Sequence, residues 1–412
     1  MIEDIGMSFE LKSITVEKKP HLMENIVLGK IVSIRDQILK AQSEGMAVYR
    51  FESGDPSFSI SDDVLKTIQK VSQEGKTHYP TSVGILELRE AIISKLKVKN
   101  KIIVSSVDSI YVTHGAMNAI FSTIFCIVNP GDEVIIPDPM WPEIAENIKI
   151  ARGIPVRVKL NEEDGFQYSV KKIEEKISDK TRAIYLNTPH NPTGAVLSKE
   201  TLLDIIRVAK KYNLWIISDE AYEDILYEPY QHYSIASLAK EYSCKVVSIF
   251  SFSKSHAMSG LRLGYIVTQS SILKDRLPKI LRCAINGANS ITQWAGITAL
   301  EKDHDYIEFM RIEYRNRRDV LLEELSKVKD ITVFIPKGSF FIWIKFHPAI
   351  LQRLKCKDSD QVSEYLSKIG IGSIPGTTFG ESNSNYARFA FSCNTEMVIE
   401  GANALREALT PV

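Results

Sequence analysis

The stretch VVSIFSFSKSHAMSGLRLGY (residues 246–265) sets a single lysine, Lys254, just beyond an apolar run, Val246–Phe250, among the hydroxyls of Ser251, Ser253 and Ser255. Arg262 follows eight residues later. An apolar run of this length predicts a buried strand. A lysine at the mouth of a sheet loses hydration, which lowers its pKa and frees the amine as a nucleophile toward an aldehyde. Arginine cannot do this, because its charge persists. SFSK by itself reads more readily as a solvated surface lysine, the fate of most lysines, so the neighbouring segments decide.

Two further apolar segments end on polar residues. AIYLNTPHNPTGAVLS (183–198) runs through Asn187 into Asn191 and a Pro-Thr-Gly turn, with a helix expected from Ser198. LWIISDEAYEDI (214–225) ends on Asp219, with Tyr222 three residues on. A carboxylate at that depth needs a cationic partner, which a pyridinium nitrogen could be; a helix cap is the other reading. Apolar segments at Ile110–Thr113, Glu133–Ile136, Val156–Leu160, Ala183–Asn187, Leu214–Ser218, Val246–Phe250 and Tyr265–Thr268 lie among helical patterns near 30–44, 62–74, 85–97, 115–127, 142–151, 169–178 and 199–212. This predicts an α/β fold with a mainly parallel sheet covered on both faces. After about residue 300 the texture changes. A charged helix (305–328), ITVFIP, SFFIWIKF, a helix near 359–369, ARFAFS and a last helix (395–408) read as a smaller α+β domain. The expected division is an N-terminal arm and helix (1–50) joined to the small domain, a large domain (51–300) and the small C-terminal domain (301–412). In open α/β sheets the ligand lies beyond the carboxyl ends of the strands, where Asn187, Asn191, Asp219, Tyr222, Ser251, Ser253 and Lys254 fall.

Composition removes several function classes. Lys and Arg number 51 against 51 for Asp and Glu, with no basic block, which argues against nucleic acid or an acidic membrane surface as partner. The opening MIEDIGMSFELKSITVEKK alternates charged and apolar residues, unlike a secretory signal. The run Ala119–Val128 is too short to span a bilayer. Five scattered cysteines without CxxC spacing read as reduced thiols, and the expected location is cytoplasmic. KVSQEGKT (70–77) has Lys70 where a P-loop needs its first glycine, and GIGSIP (370–375) has Pro375 where a dinucleotide fingerprint needs its third. No HExxH or paired CxxC is present, and no metal is expected.

Taken in order, NPTGAV, SDEAYEDILY and SFSKSHAMSGLRLGY resemble the class I aminotransferases that use pyridoxal 5′-phosphate (PLP), fold type I. The intervals also fit: 28 residues from Asn191 to Asp219, 35 from Asp219 to Lys254 and 8 from Lys254 to Arg262. The resemblance is nearest to the bacterial and archaeal aspartate aminotransferase branch. FESGDPSF, GKTHYPTSVGILELREAI, VTHGAMNAI, NPGDEVIIPDPMW and PGTTFG…ARFAFS extend it over roughly residues 30–408.

The resemblance implies a ping-pong transfer of an amino group from an L-amino acid to a 2-oxo acid through aldimine and ketimine stages. It implies that Lys254 holds PLP and moves the proton, that Asp219 keeps the pyridine nitrogen protonated, and that Asn191 and Tyr222 donate to the ring's phenolate oxygen. Trp141 would stack on the ring. Gly115, Ala116 and Met117, at a helix N-terminus, would bind the phosphate with Ser251, Ser253 and Arg262. Tyr79 would reach the phosphate from the other subunit of a homodimer. Arg388 would grip the substrate α-carboxylate as a bidentate fork, with Gly54 beside it; Trp141 and Asn191 would also face the substrate. Met117 stands where some aspartate-specific members have lysine, and CAINGANSITQW (283–294) lacks an arginine used elsewhere for dicarboxylates. Alanine, aromatic amino acids and kynurenine therefore stay open as donors, with 2-oxoglutarate or pyruvate as acceptor. A PLP-dependent carbon–sulfur β-lyase of the same fold is the alternative activity, and a non-catalytic PLP-binding regulator a third reading.

Overall fold

In a computed structural model, which describes residues 21–27 and 29–410, the chain forms two sheets. The large sheet has seven strands: β1 (Ile110–Thr113), β2 (Glu133–Asp138), β3 (Ile154–Lys159), β4 (Thr181–Asn187), β5 (Trp215–Asp219), β6 (Lys245–Ser251) and β7 (Gly264–Val267). Their order is β1-β7-β6-β5-β4-β2-β3. The run from β3 to β6 is parallel, while β7 lies antiparallel between β6 and β1. This is the mainly parallel α/β sheet the sequence predicts.

Side-chain alternation explains why these strands read as unbroken apolar runs. Along β4, Ala183 and Tyr185 pack to one face with Trp215, Ile217 and the leucines 273, 277 and 281. Ile184 and Leu186 pack to the other with Leu202, Ile205 and Ile206. Both faces are covered by helices, so both sets must be apolar. The helix Lys199–Lys211 follows the same logic: Leu202, Ile205, Ile206 and Ala209 share its buried stripe, and Ser198 caps it by accepting from Thr201 N at 3.1 Å.

The small sheet contains β8 (Ile331–Phe334), β9 (Phe341–Phe346), β10 (Ile374–Pro375) and β11 (Tyr386–Ala390), antiparallel in the order β10-β11-β9-β8. The helices His304–Ser326 and Thr395–Leu409 share its core. Residues 49–57 run along this sheet: Ala390 N donates to Phe51 O at 2.7 Å and Ser57 N to Ser392 O at 3.0 Å.

Four helices depart from the sequence reading. The helix expected over 169–178 is only Val170–Glu174. The helix Leu86–Lys95 widens into a π turn, Leu96–Asn100, where Asn100 Nδ2 reaches Glu223 Oε2 at 2.6 Å and Ser234 Oγ at 2.8 Å. Helices Ser271–Ala284 and Ser290–Lys302 have no counterpart in it. Pro278 sits inside the first and reads as a breaker; the second buries Ala295, Gly296 and Ala299, which give little apolar signal.

Candidate active site

The parallel strands deliver their polar ends to one place. Asn187 closes β4, Asp219 closes β5 and Ser251 closes β6. Lys254 follows on a short helical turn, Phe252–Ser255. The small domain faces them with Arg388 from the middle of β11 and Phe341 from β9. Between the two lies a cavity of about 260 Å³ lined by Gly54, Ala116, Met117, Trp141, Asn191, Asp219, Tyr222, Ser251, Ser253, Lys254, Arg262 and Arg388. All the predicted site residues except Gly115 and Tyr79 thus meet at one cavity. Larger cavities of about 410 and 670 Å³ lie elsewhere. The first is lined by charges that pair with one another, Lys95 with Glu223 and Lys99 with Asp224.

Gly115 stands just behind the lining, at the start of the helix Gly115–Ile127. A Cβ there would lie 2.7 Å from Arg262 Nη2, so the absence of a side chain lets the guanidinium approach the helix N-terminus. Its φ of +79° also suits glycine. Arg262 Nη1 donates to Ser259 O at 2.7 Å, and Ser251 Oγ accepts from Ser253 N at 3.1 Å. An arginine, two serines and free helix N–H groups make an anion cradle. Tyr79 is 88% exposed and lies outside the cavity of its own chain.

Electrostatics separate the titratable groups. Lys254 Nζ donates to Gly54 O at 2.6 Å. Burial lowers its pKa to about 8, with Arg388 and Arg262 adding to the effect and Asp55 and Asp219 opposing it. Burial raises Asp219 to about 6, against donors from Tyr185 Oη (2.8 Å to Oδ2) and Ala221 N (3.1 Å to Oδ1). Burial likewise raises the Tyr222 phenol above its ordinary value. Arg388 is 1% exposed, and burial pulls it down to about 10. Its Nη1 donates to Asn191 Oδ1 at 3.1 Å and its Nη2 to Glu52 O at 2.8 Å, while Nε is buried without a partner. Phe341 and Phe379 flank the guanidinium at 4.4 and 5.2 Å. No carboxylate pairs with it among the described residues.

The family model for aminotransferase class I and II matches residues 47–405. The chain belongs to that family. Among other members, the aspartate aminotransferase of Pyrococcus horikoshii is 35% identical over 396 residues, covering 95% of this chain and 98% of that protein. Aromatic-amino-acid aminotransferase 2 of Thermococcus litoralis is 33% identical over 361 residues, 86% of this chain and 90% of that one. The structure of Thermus thermophilus aspartate aminotransferase with maleate superposes with a TM-score of 0.88 at 28% identity, covering 95% of this chain and 100% of that one. The two-sheet architecture described above is thus the aminotransferase fold.

Several residues at the site have no assigned place in the sequence reading. Asn187 enters the sequence reading as a strand end near the expected ligand, without a role. Its Nδ2 donates to Asp219 O at 3.1 Å and its Oδ1 accepts from Asn191 N at 2.9 Å, so it buttresses both neighbours. Phe341 is invisible from alternation alone, because SFFIWIKF does not say which face meets the cleft. Tyr185 could have been found: it lies two residues before Asn187, hence on the same side of β4.

Proposed function

We propose that this aminotransferase uses PLP to move an amino group from an L-amino acid to a 2-oxo acid in two half-reactions. The observation that carries the reading is the shared cavity of Lys254, Asp219 and Arg388: a low-pKa amine, a buried carboxylate and a guanidinium with no carboxylate partner among the described residues. The donor set fits PLP. The cradle of Gly115, Ala116, Met117, Ser251, Ser253 and Arg262 suits its phosphate, and the Gly115 position has no room for a side chain. When bound, PLP supplies an electron sink for negative charge at the substrate α-carbon.

The protein's own groups do the rest. Lys254 would hold the cofactor aldehyde and then, as a free amine, carry the proton taken from the α-carbon; an amine with a pKa near 8 suits that task at neutral pH. Asp219 would hold a proton on the pyridine nitrogen. Asn191 has its Oδ1 occupied by Arg388, which turns its NH₂ end free to donate, with Tyr222, to the ring oxygen. Trp141 would cover the ring. Arg388 would take the α-carboxylate through Nε and one Nη, with the Gly54 backbone beside it. Tyr79, being exposed, would complete the phosphate site of a second copy in a homodimer. We place the protein in the cytoplasm; its cysteines are unpaired. We also propose domain boundaries near residues 50 and 300, with the helix Lys30–Ser43 on the small-domain side, in keeping with its packing against the helix Ser359–Lys368 and β10.

A donor panel assayed with 2-oxoglutarate and with pyruvate tests this. Amino transfer with at least one donor is expected. Ammonia and pyruvate released from cystathionine without any acceptor, and no transfer from the panel, would overturn it in favour of the lyase.

A further inference from the structure

The Tyr185 hydroxyl reaches the candidate site from inside the core. Its ring is fully buried in the middle of β4, among Ala183, Ile217 and Ile249. A phenylalanine would fill that space as well. The hydroxyl has a single hydrogen bond among the described residues, to Asp219 Oδ2 at 2.8 Å. It approaches from the core, while Asp219 lines the cavity. Asn187, on the same side of β4, takes the Asp219 carbonyl, and Ala221 N takes Oδ1. Both oxygens and the main chain of Asp219 are therefore anchored, the Oδ2 from the core side by Tyr185, and its remaining lone pairs are left for the cavity.

We propose that Tyr185 is a positioning residue that keeps Asp219 ionised and aimed at the cofactor's ring nitrogen. The inference rests on the PLP reading above. A neutral hydroxyl bonded to a carboxylate favours the charged form. Tyr185 keeps its proton to donate, because burial and then the charge of Asp219 hold it well above the ordinary phenol range, and an ionised carboxylate can only accept. Glu220 pushes Asp219 the other way, toward protonation, so the hydroxyl, the Ala221 N–H and, more weakly, the Lys254 charge oppose burial and that neighbour. A protonated Asp219 could not stabilise a pyridinium.

The test is Tyr185→Phe, read first without cofactor. Carbon-13 NMR of the apoenzyme, with Asp219→Asn to assign the signal, should show the Asp219 carboxyl titrating about one pH unit higher in the variant, the loss expected for one hydrogen bond to a charged group. The second readout is binding across pH of PLP and of a phosphorylated benzaldehyde analogue with C–H in place of the ring nitrogen. The acid limb of PLP binding should move up by about one pH unit, and analogue binding should not change. An unmoved carboxyl titration overturns the proposal, as does an equal change for PLP and analogue. If Tyr185→Phe does not fold, 3,5-difluorotyrosine at 185 keeps the ring and strengthens the donor. The Asp219 titration must then move down, and no movement overturns the proposal. Wild-type protein that takes up no PLP would instead overturn the functional reading, whatever the apoenzyme titration shows.

Discussion

Arg388 Nη1 donates to Asn191 Oδ1 at 3.1 Å, so the small sheet and the loop after β4 meet through a hydrogen bond inside the candidate site. That contact fixes the guanidinium plane without neutralising it, because an amide oxygen carries no full charge. The arginine is held in place yet retains a charge for an incoming carboxylate.

Arg388→Lys keeps the charge and loses the planar fork. Disrupting a buried charge pair costs about 2–5 kcal/mol, or roughly 30- to several-thousand-fold in kcat/KM. A loss of that order is expected with every amino acid donor, because all carry the α-carboxylate. A simple amine without a carboxylate should react about equally with both proteins. Amino acid and amine reactivity falling together, with lost PLP or unfolding, would make Arg388 a structural residue.

The amine of Lys254 is expected to be the point of PLP attachment. Borohydride reduction and peptide mapping should place the pyridoxyl group there, and a label on another lysine would sink the assignment. Because only the free amine attacks an aldehyde and its pKa is about 8, the rate of PLP uptake by apoenzyme should rise with pH and level off above about 8. A rate still rising tenfold per pH unit beyond pH 9 would show an unshifted lysine.

Asp219 gives a stability prediction. Its folded pKa, about 6, lies above the ordinary 3.8, so the folded chain binds this proton more tightly than the unfolded chain. The stabilisation is full below pH 3.8 and is lost as pH rises through 6. At pH 8 the ionised group costs the apoenzyme up to about 3 kcal/mol. Asp219→Asn should therefore raise the apoenzyme Tm relative to wild type more at pH 8 than at pH 5, while abolishing most activity. An equal Tm difference at both pH values would contradict the raised pKa.

Tyr79 predicts intersubunit complementation. Mixing Lys254→Ala with Tyr79→Phe protein under exchange conditions yields hybrids in which one site carries both defects and the other neither. Activity should partly recover. No recovery despite demonstrated exchange would remove Tyr79 from the partner's site.

Met117 bears on specificity. It lies beside Asn147, whose Nδ2 is 3.2 Å from Sδ, and it offers no charge to a distal carboxylate. Aspartate should not exceed the best monocarboxylic donor by more than about tenfold in kcat/KM, or roughly 1.4 kcal/mol. A larger preference would reveal another reader of that carboxylate.

Motifs that carry chemistry were legible because they sit at strand ends, where a polar residue interrupts an apolar run: Asn187, Asp219 and Ser251 mark their strands within one or two residues. The second rank of contacts was less so. Nothing in the order of residues says that Glu52 O would meet Arg388, or that Gly54 O would receive Lys254, since both contacts depend on how the small sheet docks against the large one. The helix Ser271–Ala284 was hidden by Pro278, and Ser290–Lys302 by its small buried residues.

Residues 49–57 run along a sheet whose strands lie near the opposite end of the chain: Arg388 and Glu52 are 336 residues apart. A ribosome therefore releases this segment long before β9 and β11 exist to receive it. The large sheet can form while the chain is still being made, but the carboxylate fork and the Gly54 carbonyl can come together only once almost all of it has emerged. Nascent chains halted before β11 should be able to build the phosphate cradle yet lack a finished substrate site, so that catalytic competence is acquired last in synthesis.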